Sequence, residues 1–301
     1  MTGQCGTASG GSARPPVRAY LGMIAATLFW SSNAVVVKLL LREFPLAQAA
    51  GLRVCLAAVA LAVLHLALGG RFHLRREEIW RFLSLGMWGL ALSFLFFTLG
   101  LYYTSIAHAV FVGALVPLAV LLLARREGQE RLTVGKLAGL VVALTGVLVL
   151  ALDRGAGSGP NWKGDLLALC GVICFAHFTV QSKKISSQYD PVFFNMCCFA
   201  GGGLLFLPWI AATVRQVPWS EITLMGWTSL GYSAIFGSAG AYLTFYYSLR
   251  WMKASEAAVF HYLQPVLATA FGMLFFGDVL TGPFAAAAAL ILSGVIIAER
   301  W

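Results

Sequence analysis

Two stretches decide how this chain is read: Pro117–Val147, PLAVLLLARREGQERLTVGKLAGLVVALTGV, and Pro265–Val295, PVLATAFGMLFFGDVLTGPFAAAAALILSGV. Set 148 positions apart, they align Pro117 with Pro265, Glu130 with Asp278, Thr133 with Thr281 and Gly146-Val147 with Gly294-Val295. Upstream, Ala109 meets Ala257 and Leu115 meets Leu263 at the same offset. Towards the start of each half the offset falls to 145 or 146, pairing Trp30 with Phe175, Lys38 with Lys183 and Pro45 with Pro191. Small loop insertions account for that drift. A repeat that runs through the whole chain points to one structural unit used twice.

The composition says what the unit is made of. Of 301 residues, 59% are apolar and 11% charged, with a mean hydropathy of +0.81. A soluble domain carries roughly a quarter charged residues, so a water-soluble enzyme, a disordered chain and a secreted disulfide scaffold are excluded. A membrane-crossing helix needs about 20 apolar residues. Ten runs meet that length: Tyr20–Leu41, Pro45–Leu68, Ile79–Leu101, Ile106–Ala124, Val134–Leu152, Gly164–Ser182, Pro191–Thr213, Thr223–Ser248, Ser255–Phe276 and Val279–Ala298. Unbroken runs of this kind are unlike the short alternating segments of a membrane β-barrel. The expected fold is therefore an all-α membrane protein of ten transmembrane helices. Residues 1–19 form a flexible cytoplasmic tail, 20–152 a first five-helix repeat, 153–163 a linker loop and 164–301 a second five-helix repeat.

Basic residues orient the spans, because cytoplasmic loops retain Lys and Arg. Fifteen of the 21 fall on the side of the N-terminal tail and five on the other, with Arg53 inside a span. Both termini are expected in the cytoplasm, and the protein in the cell (inner) membrane. The net charge of +9 follows from these loops and suits anionic lipid headgroups, not nucleic acid. Five spans per half is an odd number, so the second repeat enters the membrane upside down. Inverted repeats around an axis in the membrane plane are a mark of secondary transporters, in which two similar halves exchange conformations around a central site.

The residues carrying the repeat also resemble a known family. Phe29-Trp30-Ser31-Ser32-Asn33 with Lys38, and Pro45 with Arg53 and Leu56-Ala57-Ala58, are similar to the opening of the EamA type of the drug/metabolite transporter superfamily. Val116-Pro117, Glu130-Arg131-Leu132-Thr133 and Gly146-Val147 resemble the close of its first repeat. Tyr262-Leu263-Gln264-Pro265, Gly277-Asp278 and Gly294-Val295 resemble the close of its second, with Asp278 where the family more often has Glu. The resemblance implies a ten-helix carrier with a central cavity and both termini inside, commonly exporting amino acids or related metabolites.

Polar groups inside the hydrocarbon are costly and mark function. Lys38, Arg81, Lys136, Asp165 and Glu256 lie within four residues of a span end and can snorkel. Arg53 is deep, roughly 12 Å into its helix at 1.5 Å per residue. It either pairs with a substrate carboxylate or binds carbonyls exposed at a neighbouring helix break, and its generality in the family favours the second. His177 and His261 are candidates for substrate hydrogen bonds or proton coupling; the alternative is a neutral His bonded between helices. Cys170, Cys174, His177 and Gln181 share one helical stripe, as do Trp30, Asn33 and Val37, and in the eighth span Ser229, Tyr232, Ala239, Tyr242 and Tyr246. Such stripes turn away from lipid, towards other helices or a cavity. The candidate substrate contacts are Trp30, Asn33, Trp88, His177, Tyr242, His261 and Gln264. Pro117 and Pro265, equivalent in the fourth and ninth spans, are read as hinges beside the site.

All twelve carboxylates lie in loops or within two residues of a span start, which argues against sodium coupling and leaves facilitated movement or proton coupling through a histidine. No Walker-type phosphate loop and no His-Glu-x-x-His sequence occurs, so neither an ATP-driven pump nor helix-borne zinc chemistry is expected. No catalytic residue, cofactor or metal is assigned. The partners expected are a small-molecule solute and membrane lipids, and a homodimer is compatible with the pattern. The aromatic and neutral polar lining suits small neutral or zwitterionic solutes. Two other classes stay open: a membrane-embedded lipid-modifying enzyme, which would need an acid–base pair near one interface, and a pore with a continuous polar path.

Overall fold

A backbone withdrawn from water must satisfy its own hydrogen bonds, and each apolar run does so as a helix; among the described residues there is no strand. The computed structural model describes residues 15–71, 76–103, 112–153, 162–264, 266–267, 270–271 and 282–300. Pro265 and Asp278 lie outside them.

In chain order the helices are α1 (Val17–Glu43), α2 (Leu46–Ala67), α3 (Arg76–Tyr103), α4 (Val116–Arg126), α5 (Val134–Asp153) and α6 (Trp162–Ile185). They continue as α7 (Pro191–Thr213), α8 (224–249), α9 (Ala254–Val259, running on as a 3-10 turn over Phe260–Tyr262) and α10 (Gly282–Arg300). The first helix begins three residues before Tyr20, and the sixth two residues before Gly164. Among the described residues, five helices are long and apolar enough to cross a membrane: α1, α2, α3, α6 and α7 with its terminal turn. Their outer faces are apolar, with Leu21, Val59, Val63 and Leu204 exposed, an arrangement that water would oppose and lipid welcomes. This is a multi-pass membrane protein.

Local chemistry sets the helix ends. Asp190 caps α7, its carboxylate accepting from the backbone N–H groups of Val192 (2.9 Å) and Phe193 (3.2 Å), with Pro191 in the first turn, where a missing N–H costs nothing. Gly128 ends α4 at φ 69°, a left-handed conformation that glycine adopts without strain.

The packing is reciprocal between the halves. α2 packs along α7 and α5 along α10, each helix against its own counterpart; α1 packs along α8 while α3 packs along α6. The glycine contacts repeat this order. Gly146 lies against Ala287 and Ile291, and Gly294 against Gly139 and Ala143, and a shift of 148 turns one set into the other. Likewise Gly89 backs onto Phe178 and Gly237 onto Asn33, pairs related by the offsets of 148 and 145. Glycine lets the helices approach where any side chain would collide.

The helix ends sort to two levels. At one, the Arg18 guanidinium sits over Trp251, 4.7 Å from the ring centre. There too Lys183 donates to the Leu249 carbonyl (2.7 Å), Lys184 pairs with Glu127 (2.7 Å), and the backbone N–H of Ser255 donates to Glu130 (3.0 Å). The start of α1 thus shares one level with the ends of α4, α6 and α8 and the start of α9. At the opposite level Gln48 donates to Thr213 (2.8 Å), and Glu43 accepts from the hydroxyl and N–H of Thr223 (2.8 Å each).

Lys136 departs from the expectation that it snorkels. Its side chain is 5% exposed and bonds Glu130 (2.7 Å) and the Ser255 hydroxyl (2.8 Å). The loop carboxylate of Glu130 folds inward over it, so the ammonium finds its counter-charge inside the protein and has no need of water.

Candidate functional site

Irregular backbone falls at matching places in the two halves. Wide π-type turns interrupt α3 at Leu85–Leu92 and α8 at Ile235–Gly240, and the offset of 148 brings their ends together. Ahead of α4 the helical turn at 112–113 gives way to a turn at 114–115. The same offset lands on 262–263, the end of the 3-10 turn of α9. π-bulges and helix breaks free backbone groups and cluster at functional sites. Pro117 stands in the first turn of α4, so the discontinuity lies just before it and not at a mid-helix proline.

These irregular segments surround a cavity of about 130 Å³, room for several waters on that measure. Both halves line it. Trp30 and Asn33 come from α1, Arg53 from α2, Ser93, Phe94 and Phe97 from α3, and Gly113 and Val116 from the broken segment. The second half adds Gly171, Val172 and Phe175 from α6, Gly237 and Tyr242 from α8, and His261 and Gln264 from α9.

Trp30 is the hub. Its indole stacks on the His261 imidazole (5.0 Å between centres, 19° between planes) and meets Tyr242 and Phe175 edge-on at 5.4 and 5.7 Å. Asn33 is fixed by Ser233, whose hydroxyl donates to Oδ1 (2.6 Å), and by the bare backbone of Gly237 behind it. Gln264 Nε2 and His261 Nδ1 are 2.8 Å apart. Arg53 is 3% exposed, and its guanidinium lies over the Phe94 ring at 4.0 Å, a cation–π contact strengthened by the dry surroundings. Among the described residues that line the cavity there is no Asp or Glu.

One turn further along α6 and α8, towards the level of Glu130, the space is filled by buried rings. Phe194 stacks on Tyr246 at 3.8 Å, Phe178 meets Tyr242 at 5.8 Å, and the Tyr246 hydroxyl donates to the Ile185 carbonyl (3.2 Å). The Glu130–Lys136–Ser255 cluster closes the α4–α5 loop onto the start of α9 at that level. Burial of the Glu130 carboxyl favours its neutral form, but bonds from Lys136 and from the hydroxyl and N–H of Ser255 outweigh this and hold it below the usual carboxylate range.

Six of the residues singled out from sequence therefore converge: Trp30, Asn33, Arg53, Tyr242, His261 and Gln264. Two do not. Trp88 lies in the π segment of α3 with half its surface exposed, and His177 is on the exposed face of α6. The polar stripe of α6 serves the loop after α4, Gln181 reaching Glu127 at 3.3 Å; a different face, through Gly171 and Phe175, turns to the cavity. Sequence reading missed Phe94, Phe97, Ser93 and Phe175. For Phe175 a signal was present, since it occupies the repeat position of Trp30. Phe94 carries none.

The comparisons with known proteins agree with this architecture. The model of the EamA-like transporter family matches twice, over residues 17–152 and 162–299. The chain belongs to the EamA-like transporter family. Among its relatives, an "uncharacterized transporter" of Archaeoglobus fulgidus is 27% identical, the match covering 94% of this chain and 99% of the relative. The "uncharacterized transporter YetK" of Bacillus subtilis is 25% identical over 93% and 80% of the two chains. A solved crystal structure shares the fold at a TM-score of 0.78, with 22% identity and 96% and 98% of the chains covered.

Proposed function

We propose that the protein is a secondary carrier that exports small metabolites, such as amino acids, by alternating access. Ten helices form two inverted five-helix repeats around the central cavity. The observation that carries this reading is a cavity walled by both halves where their helices are interrupted at repeat-equivalent positions. A site shared by two such halves can face either compartment as they rock against each other.

The inversion is supported by the helix ends. α1 starts at the level where its counterpart α6 ends, and α4 ends where its counterpart α9 begins. The basic residues that gather at that level favour the cytoplasm, which supports reading both termini as inside; the membrane is taken to be the inner one. Trp30, Asn33, Tyr242, His261 and Gln264 contact the solute; the breaks beside Pro117 and near Pro265 serve as hinges. Trp88 and His177 stand apart from the cavity and take no part in binding.

Counterflow in proteoliposomes tests the reading. A carrier loaded with unlabelled solute draws in labelled solute against its gradient and saturates. A pore shows no counterflow, and a lipid-modifying enzyme alters the solute chemically. Absence of saturable counterflow across a pooled set of cell metabolites would overturn the carrier reading.

A further inference from the structure

We propose that the cavity recognises its solute by a single carboxylate seated on Arg53 and makes no provision for an ammonium group, so that its substrates are apolar or aromatic monocarboxylic acids. This rests on the carrier reading and keeps its small metabolites, but sets amino acids aside in favour of acids without an ammonium group.

Arg53 is the starting point. It is 3% exposed, its Nε has no hydrogen-bond partner, and among the described residues neither an ion pair nor a hydrogen bond holds the guanidinium. The alternative drawn from sequence, a structural role on carbonyls at a helix break, would require such bonds. An isolated cation out of water is costly unless it is paired, and the Phe94 face offsets only part of that cost. What remains is a planar fork of N–H donors open to a cavity, the arrangement that matches the two oxygens of a carboxylate.

A second unpartnered group belongs to a side chain that lines the same cavity, His261. The Gln264 amide nitrogen, which can only donate, lies 2.8 Å from His261 Nδ1, so that nitrogen accepts and the ring proton falls to Nε2, which is buried without a partner among the described residues. Two buried groups on different halves of the protein thus both offer donors. The chemistry they lack is an acceptor, best a charged one.

The rest of the lining sets the remainder of the molecule. Trp30, Phe175 and Tyr242 present ring faces and edges around His261, suited to a flat apolar body. With no Asp or Glu among the described lining residues, an ammonium would be stripped of water without a counter-charge and held near a fixed cation. A dianion would need a second buried cation, which the described lining does not contain. A monoanion balances Arg53 alone.

The test measures melting of the purified full-length protein in lipid nanodiscs with matched probes: benzoate, phenylacetate and indole-3-acetate, each against its own amide, with phenylethylammonium, phenylalanine and chloride alongside. Ligands that bind the folded state raise the melting temperature with concentration. At least one acid is expected to bind at least tenfold more tightly than its amide, and phenylacetate more tightly than phenylalanine or phenylethylammonium. Arg53→Gln abolishes the preference for acid over amide. Should that variant fail to fold, Arg53→Lys keeps the charge without the fork and is expected to retain a reduced acid preference. The proposal is overturned if no acid exceeds its amide, if phenylethylammonium binds best, if chloride alone protects as well as the acids, or if Arg53→Gln keeps the preference. Its failure is separable from that of the carrier reading: saturable counterflow of a solute with no acidic group sinks only the carboxylate requirement.

Discussion

Helices α5 and α10 are repeat counterparts packed on each other, and so are α4 and α9, yet the two pairs differ in kind. α5 and α10 run unbroken and meet along a seam in which Gly139, Gly146 and Gly294 bring the backbones together. α4 and α9 are both interrupted where they reach the cavity, and they carry Gly113, Val116, His261 and Gln264 to its wall. The contrast teaches where a duplicated fold can hold a site. A continuous helix satisfies its own backbone and can be sealed by glycine contacts; an interrupted one leaves polar groups that only water or a solute can meet.

Four experiments probe this contrast. The largest effect is expected where the interrupted pair is tied down. Glu130→Gln leaves Lys136 buried at 5% exposure without its counter-charge, a loss of about 3–5 kcal/mol. The melting temperature should fall sharply, and Glu130→Gln combined with Lys136→Met should recover most of it. A single variant as stable as the parent would mean that the cluster is solvated.

Next comes the seam. Gly294→Leu forces a side chain against the Gly139 carbonyl, within 2.6 Å of the new Cβ, and should cost about 1–3 kcal/mol or more. Gly113→Ala, with nothing within 4 Å of its added Cβ, should stay within about 0.5 kcal/mol. Equal losses at both would remove the distinction between a packed seam and an open wall.

Acid gives a smaller, graded effect. The folded Glu130 carboxyl is held below the usual range, so its contribution is present above the unfolded carboxylate value and is lost as pH falls through the lowered one. Melting recorded from pH 7 downward should show this loss in the parent and a flatter profile in Glu130→Gln.

The smallest effect is expected at His177. His177→Ala should leave counterflow unchanged, while His261→Ala should slow it at least tenfold. The reverse result would move the site to the outer face of α6.

Much of this was legible from residues alone, and the misses have a physical cause. The apolar runs located the helices because hydrocarbon admits little else, and the offsets of 148 and 145 paired contacts as specific as Gly89–Phe178 with Gly237–Asn33. Buried polarity singled out Arg53, Asn33 and His261, which the structure places around the cavity. The same criterion also singled out His177 on α6, which the structure places on an exposed face near Gln181 and its loop carboxylate. Near a helix end polarity is met by the interface as readily as by a cavity. Phe94 had no signal because an aromatic ring facing lipid and one facing Arg53 look alike in sequence.

By itself, then, the sequence determined that the chain crosses a membrane through apolar helices and that one unit is used twice, since both follow from composition and spacing along a single line. Which face of α6 turns inward, where α4 and α9 break, and that among the described residues Arg53 has no hydrogen-bond or ion-pair partner were decided only by the tertiary structure. Each depends on what a second helix presents across the gap, and no residue carries that information about its neighbour.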